Sequence, residues 1–176
     1  MTFDLTDATT QLGNTPAVLR ALIAPLPDHW LHATDGAGTW SALQVVRHLC
    51  WCEVDDWIPR ARLIFEHQDR VAFSPFDREG GEARYGDLTT TALLDELGRL
   101  RTANLQALDA MRLDQDGLSL AGLHPALGRV TMAQLLATWA AHDLVHLTQI
   151  TRTLARQYRD AVGPWREFMS PLKAEG

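Results

Sequence analysis

One segment restricts this chain more than any other. Thr131 to Tyr158 reads as a single long helix, and inside it stands Trp139-Ala-Ala-His142-Asp143-Leu-Val-His146-Leu-Thr-Gln149. Thr131 with Gln134 three residues on has the form of a capping box, and Gly163-Pro164-Trp165 closes the segment. At ~100° per residue, two histidines four apart project from one face with Cβ atoms ~5–6 Å apart. Imidazoles at that spacing can share one metal ion at ~2.0–2.1 Å. The alternative is a pair of core histidines, each satisfied by hydrogen bonds. With His142 taken as the origin, Leu135, Trp139, His146, Gln149 and Thr153 all fall within ~60° of it. The pair therefore occupies the middle of the stripe that faces the core.

Three further helices can be read around it. Leu5, Leu12, Val18, Leu19, Leu22 and Ile23 recur at helical spacing, and Thr15 before Pro16 has the form of an N-cap and first helical position. That predicts a first helix in two pieces. Ser41 and Gln44 form another capping box, opening a second helix to about Glu66 with a kink expected at Pro59. On its wheel His48 shares an inward stripe with Val45, Cys52 and Asp55, whereas Cys50 points away. Leu93, Leu97, Leu100, Asn104, Leu108 and Met111 form a third helix, ended by Asp114 to Gly117. Residues 68–87 carry Phe73, Phe76 and Tyr85 without periodicity, a long connection for a compact domain. It is either a lid over one bundle end or a solvent-side crossover. Residues 120–130 form a second connection, in which His124 reads as a structural hydrogen-bonding residue. With no strand pattern and no repeat, the chain predicts one all-α domain over residues 1–176. Its architecture is a four-helix bundle with a long loop between helices 2 and 3 and a short C-terminal helix.

Composition removes several function classes. A net charge of −6 without a basic patch argues against a nucleic-acid surface. No run of 18 apolar residues is present to span a membrane, and the first residues lack a secretory signal. Cys50 and Cys52 point ~200° apart on a helix and cannot pair locally, so a reducing cytoplasm is the expected compartment.

Larger pieces of the chain have a familiar form. Trp40-Ser41 with Val46-Arg47-His48-Leu49, His124-Pro125 with Gly128 to Thr131, the 139–150 segment and Val162-Gly163-Pro164-Trp165 follow one another in order. Over residues ~5–168 the chain resembles the DinB superfamily, the DinB-like and YfiT-like metal-binding four-helix bundles. That resemblance implies an up-down-down-up topology and a divalent metal held by His48, His142 and His146. It also implies a small-molecule substrate, with either hydrolysis or transfer of a low-molecular-weight thiol as co-substrate, and a homodimer. Histidine nitrogens suit Zn, Ni or Fe, and three protein ligands leave positions open for water or substrate. Around such a centre Asp143 could orient a ligand imidazole. Gln149 and Cys52 could line the pocket, and Asp55 could serve as general base if buried beside the metal. The competing expectation is a non-catalytic, stress-linked bundle that binds metal or a small ligand, its coordination filled by Cys52 or a carboxylate.

Overall fold

The computed structural model describes residues 2–172, so Met1 and 173–176, the ends of the expected single domain, lie outside the described residues. In chain order the elements are α1 (Leu5–Ile23), α2 (Asp28–Leu31), α3 (Ala42–Asp55), α4 (Trp57–His67), α5 (Gly80–Tyr85), α6 (Thr90–Ala110) and α7 (Gln115–Ser119). A hairpin of β1 (Ala121–His124) and β2 (Gly128–Thr131) follows, then α8 (Met132–Arg156). The four long units α1, α3–α4, α6 and α8 make a four-helix bundle. Among the described residues no helix is long and apolar enough to cross a membrane.

Both expected capping boxes are present. Ser41 Oγ accepts from the Gln44 N–H while Gln44 Oε1 accepts from the Ser41 N–H, and Thr131 and Gln134 repeat the exchange. Each box fixes the start of a histidine-bearing helix, and with it the phase at which the imidazoles emerge.

The core divides into two clusters. One gathers Leu19 and Ile23 of α1, Val45, Val46 and Leu49 of α3, Leu93 and Leu97 of α6, and Ile150 and Leu154 of α8. The other gathers Ala8 and Leu12 of α1, Cys52 of α3, Trp57, Ile58, Ala61 and Ile64 of α4, Leu108 of α6, and Met132, Leu135, Leu136 and Trp139 of α8. Chain order along the clusters gives each helix a direction: α1 and α8 run from the second cluster to the first, α3–α4 and α6 the other way. Because α6 packs on α3 in the same sense, the chain after α4 has to return along the bundle, which accounts for the long 68–87 connection.

Several expectations need correction. The first helix is continuous, with Pro16 inside it. The second is interrupted at Asp56 (φ −113°, ψ −78°) and not at Pro59. Pro59 instead occupies the first turn of α4, where a missing N–H costs nothing. Cys50 is fully buried, its thiol donating to the Leu93 carbonyl, because α3 is covered by α6, α5 and α8 on several sides. Residues 121–131 form a two-stranded antiparallel hairpin, with Gly128 at φ +73° completing the turn. The C-terminal tail after Gly163 is two 3₁₀ turns, Gly163–Phe168 and Ser170–Leu172.

The 68–87 connection is more ordered than its composition suggests. A 3₁₀ turn at Gln68–Arg70 leads into Phe73, whose N–H bonds the Leu123 carbonyl of the hairpin, and α5 lies along α3.

Candidate metal centre

His48 leaves α3 at the level where His142 and His146 leave α8. His48 Nε2 is 3.2 Å from His142 Nε2, and His142 Nε2 is 3.1 Å from His146 Nε2. Three donors around one ion at ~2.0–2.1 Å stand about 2.9–3.4 Å apart for bond angles between octahedral and tetrahedral. The spacing fits a shared divalent cation. It does not suit three free imidazoles equally well, because one nitrogen of His142 faces two other nitrogens and a single N–H cannot serve both.

The hydrogen-bond network selects the tautomer in one case. His146 Nδ1 lies 2.9 Å from Gln149 Oε1, an acceptor only, so Nδ1 carries the proton and Nε2 keeps its lone pair for the shared point. His142 Nδ1 is buried without a hydrogen-bond partner among the described residues. Burial, together with the neighbouring His146 and His142, brings the pKa of His48 down to about 3, with Arg78 adding to it. Burial and His146 bring His142 to about 3 as well. His146 is also lowered by burial, partly offset by Gln149. All three are therefore neutral, the state a metal ligand requires.

Aromatic rings hold the imidazoles in place. The Trp40 ring lies 4.9 Å from His48 and stacks 6.2 Å from His146, and Trp57 meets His142 edge-on at 5.1 Å. Phe76, from the long connection, meets His48 edge-on at 5.7 Å.

His48, His142 and His146 line a cavity of about 500 Å³ bounded by α3, α4, α8, the 68–87 connection and the hairpin. Its wall carries Cys52, Asp56, Arg60, Arg78 and His124. A second cavity of about 510 Å³, over α5, shares Trp40, His48 and Arg78 with the first. His124 Nδ1 accepts from the N–H groups of Ala126 and Leu127 and caps the hairpin turn, the structural role its setting suggests.

The other expected site residues are distributed unevenly. Gln149 reaches the centre through His146. Cys52 is buried with Sγ 3.5 Å from His48 Nε2, but the donor atoms that close on one point belong to the three histidines without it. Burial pushes the Cys52 thiol well above the ordinary thiol range, so it sits there neutral. Asp55 is exposed and absent from the cavity wall. Its neighbour Asp56 is there instead, buried, with Oδ1 2.7 Å from Arg60 Nη1 in an ion pair without hydrogen-bond alignment. Burial raises its pKa to about 6 against the opposing pull of Arg60. The helix wheel drawn through an unbroken helix places Asp55 inward, and the break at Asp56 turns the next residue in.

Asp143 is fully buried but faces away from the imidazoles. It takes both arms of Arg101, Nη1 to Oδ2 at 2.6 Å and Nη2 to Oδ1 at 3.1 Å. Arg101 is itself buried and also donates to Glu53 Oε1, which accepts from Trp139 Nε1, while Asn104 bonds the other Glu53 oxygen. Desolvation works against the Arg101 charge, but Glu53 and Asp143 outweigh it and hold its pKa above the ordinary value. This cluster joins α3, α6 and α8 directly behind the His142 turn. Its signal in the sequence is Arg101 itself, four residues after Leu97 and seven before Leu108 on the apolar stripe of α6.

Comparison with known proteins agrees with this picture. The sequence profile of the DinB superfamily matches residues 11–150. No curated protein sequence matches the chain. Among solved structures, YfiT from Bacillus subtilis is similar over 86% of this chain and 86% of its own, with a TM-score of 0.74 and 21% identity. It is described as a probable metal-dependent hydrolase with an unusual four-helix bundle topology. A second, described as a four-helix bundle protein, is similar over 83% of this chain and 97% of its own, with a TM-score of 0.59 and 21% identity. At that identity the two structures speak for the fold, and the profile match over most of the chain settles the family: the chain belongs to the DinB superfamily.

Proposed function

We propose that this protein is a divalent-metal-dependent enzyme acting on a small molecule, with His48, His142 and His146 as the metal ligands. The observation that carries the reading is the convergence of three neutral Nε2 atoms, 3.1–3.2 Å apart along the chain of contacts, on the wall of a cavity about 500 Å³ in volume. Three ligands facing open space favour a reacting centre over a closed structural one. The position of Cys52 outside the donor set, and the engagement of Asp56 by Arg60, speak against a site filled from within.

A bound Zn, Ni or Fe ion would act as a Lewis acid, lowering the pKa of water or of a low-molecular-weight thiol. The protein's own residues supply the rest. Gln149 holds His146 in the tautomer that leaves Nε2 free. Trp40 and Phe76 shield the imidazoles from bulk water. Asp56, on the same wall and with a pKa near 6, accepts the proton shed by the attacking water or thiol and returns it to the leaving group. Hydrolysis and thiol transfer share these roles and differ in the nucleophile admitted. Small-molecule chemistry in the cytoplasm, by a homodimer, completes the proposal.

The test is turnover of activated esters and amides, and of electrophiles offered with cysteine-type thiols, by protein loaded with each metal in turn. Metal-dependent turnover abolished by His146→Ala supports the reading. A stoichiometrically loaded protein inert across the whole panel counts against it.

A further inference from the structure

The long 68–87 connection holds a single arginine over the metal centre. Trp51 Nε1 donates to the Asp77 carbonyl at 2.8 Å, and the Glu79 N–H bonds the Asp77 carboxylate at 2.9 Å. The two following glycines then press on α3. A Cβ at Gly80 would fall inside the Trp51 ring, and one at Gly81 would stand 2.9 Å from the Arg47 carbonyl oxygen and 3.2 Å from the His48 nitrogen. The Arg47–His48 backbone cannot give way, and the Trp51 ring is held by its bond to the Asp77 carbonyl, so close approach depends on glycine at both positions. Arg47 fastens the far end, bonding both Glu82 oxygens and the Gly86 carbonyl. Residues 77–82 are thus clamped to the turn of α3 that carries His48, and the connection is no free lid.

Arg78 is what the clamp carries. It is exposed, and it borders both cavities together with Trp40 and His48. The other cations around the cavities are engaged: Arg47 by Glu82, and Arg60 by Asp56 and by the face of Phe73 at 5.3 Å. Among the described residues no carboxylate pairs with Arg78. A guanidinium fork at the border of the metal-facing cavity, where Asp56 and Arg60 balance each other, suits a planar monoanion. A dianionic phosphate would call for more than one free cation there, with Glu79 and Glu82 on the same wall.

We infer that the small molecule handled at this centre carries a carboxylate, bound by Arg78 while its reacting group meets the metal. This rests on the metal-dependent reading above. It makes Arg78 a residue of substrate recognition and the 68–87 connection the element that positions it.

The test uses cobalt(II)-loaded protein and two thiols of equal length, 3-mercaptopropionate and its neutral amide, with the thiolate-to-cobalt absorption band as readout of binding. The acid should bind about tenfold more tightly than the amide, as expected for a charge-assisted Arg–carboxylate contact. Arg78→Ala should remove that preference and leave the affinity for the amide unchanged. Arg84→Ala, an equal change of charge on α5 outside both cavities, should preserve it. Among the described residues no hydrogen bond or ion pair rests on Arg78, so its variant keeps the fold. A preference that survives Arg78→Ala, through chelation of the cobalt or otherwise, overturns the inference, as does equal binding of the two thiols by the unaltered protein. Failure to form any cobalt complex instead removes the metal-dependent reading, and the inference with it.

Discussion

Arg101 Nη1 donates to the carbonyl oxygen of Leu12 at 2.7 Å, and that carbonyl is available because the residue four positions on is Pro16. In an uninterrupted helix the N–H of residue 16 would bond the carbonyl of residue 12. Proline removes the donor, and the buried guanidinium of α6 takes its place. This explains why Pro16 does not split the helix, and it extends the Glu53–Arg101–Asp143 cluster to α1, so that all four bundle units meet at one guanidinium.

Replacing that guanidinium should be costly. Arg101→Lys keeps the charge but cannot fork to two carboxylates and a carbonyl at once, leaving buried acceptors unpaired. A loss of about 3–5 kcal/mol in unfolding free energy is expected, by analogy with broken buried ion pairs. Urea unfolding measures it, and a loss of under about 1 kcal/mol would show the cluster to be dispensable.

Asp56 offers a pH signature. Its pKa rises from 3.8 unfolded to about 6 in the folded protein, so the folded state holds the proton more tightly between those values. Its contribution is then fully present below about pH 3.8 and declines as pH rises through about 6. His48 and His142, lowered from 6.5 to about 3, act in the opposite sense in an overlapping range and mask the slope in the wild type. The difference between Asp56→Asn and wild type cancels the histidines. In metal-free protein it should move in favour of the variant by about 1–2 kcal/mol between about pH 4 and pH 7, after allowance for solvent screening. A pH-independent difference would place the Asp56 carboxylate in ordinary solvent.

Gln149→Leu removes the acceptor that fixes the His146 tautomer while keeping the side chain's bulk. Metal affinity should fall about 10–100-fold, the usual effect of losing a partner behind a ligand. Thermal stability of the metal-free protein should be nearly unchanged, because Gln149 is only half-buried. Competition with a chromophoric chelator reads the affinity, and an unaltered value would mean that the Nδ1 contact does not govern the tautomer.

Much of this architecture is legible along the chain because it is periodic or local. The capping boxes at Ser41 and Thr131 and the i, i+4 pair His142–His146 depend on neighbours within one or two turns. The features that escape detection depend on distant partners. Cys50 is inward because α3 is covered on several sides, a property of the packing and not of its own wheel. Asp56 enters the cavity through a single-residue break that no local signal marks, which carries the inward position one residue beyond Asp55. Arg101 is visible as a charge on an apolar stripe, but its partners Leu12, Glu53 and Asp143 come from three other helices. The Gly80–Gly81 pair reads as a loop signal until Trp51 and the backbone of α3 are seen beneath it.

The central claim is that His48, His142 and His146 hold one metal ion, and elemental analysis of protein produced without an affinity tag tests it most directly. One divalent ion per chain, lost in His142→Ala while that variant stays folded, is the predicted result. Substoichiometric metal in the wild type after equilibration with Zn, Ni and Fe, or full occupancy retained in His142→Ala, would contradict it.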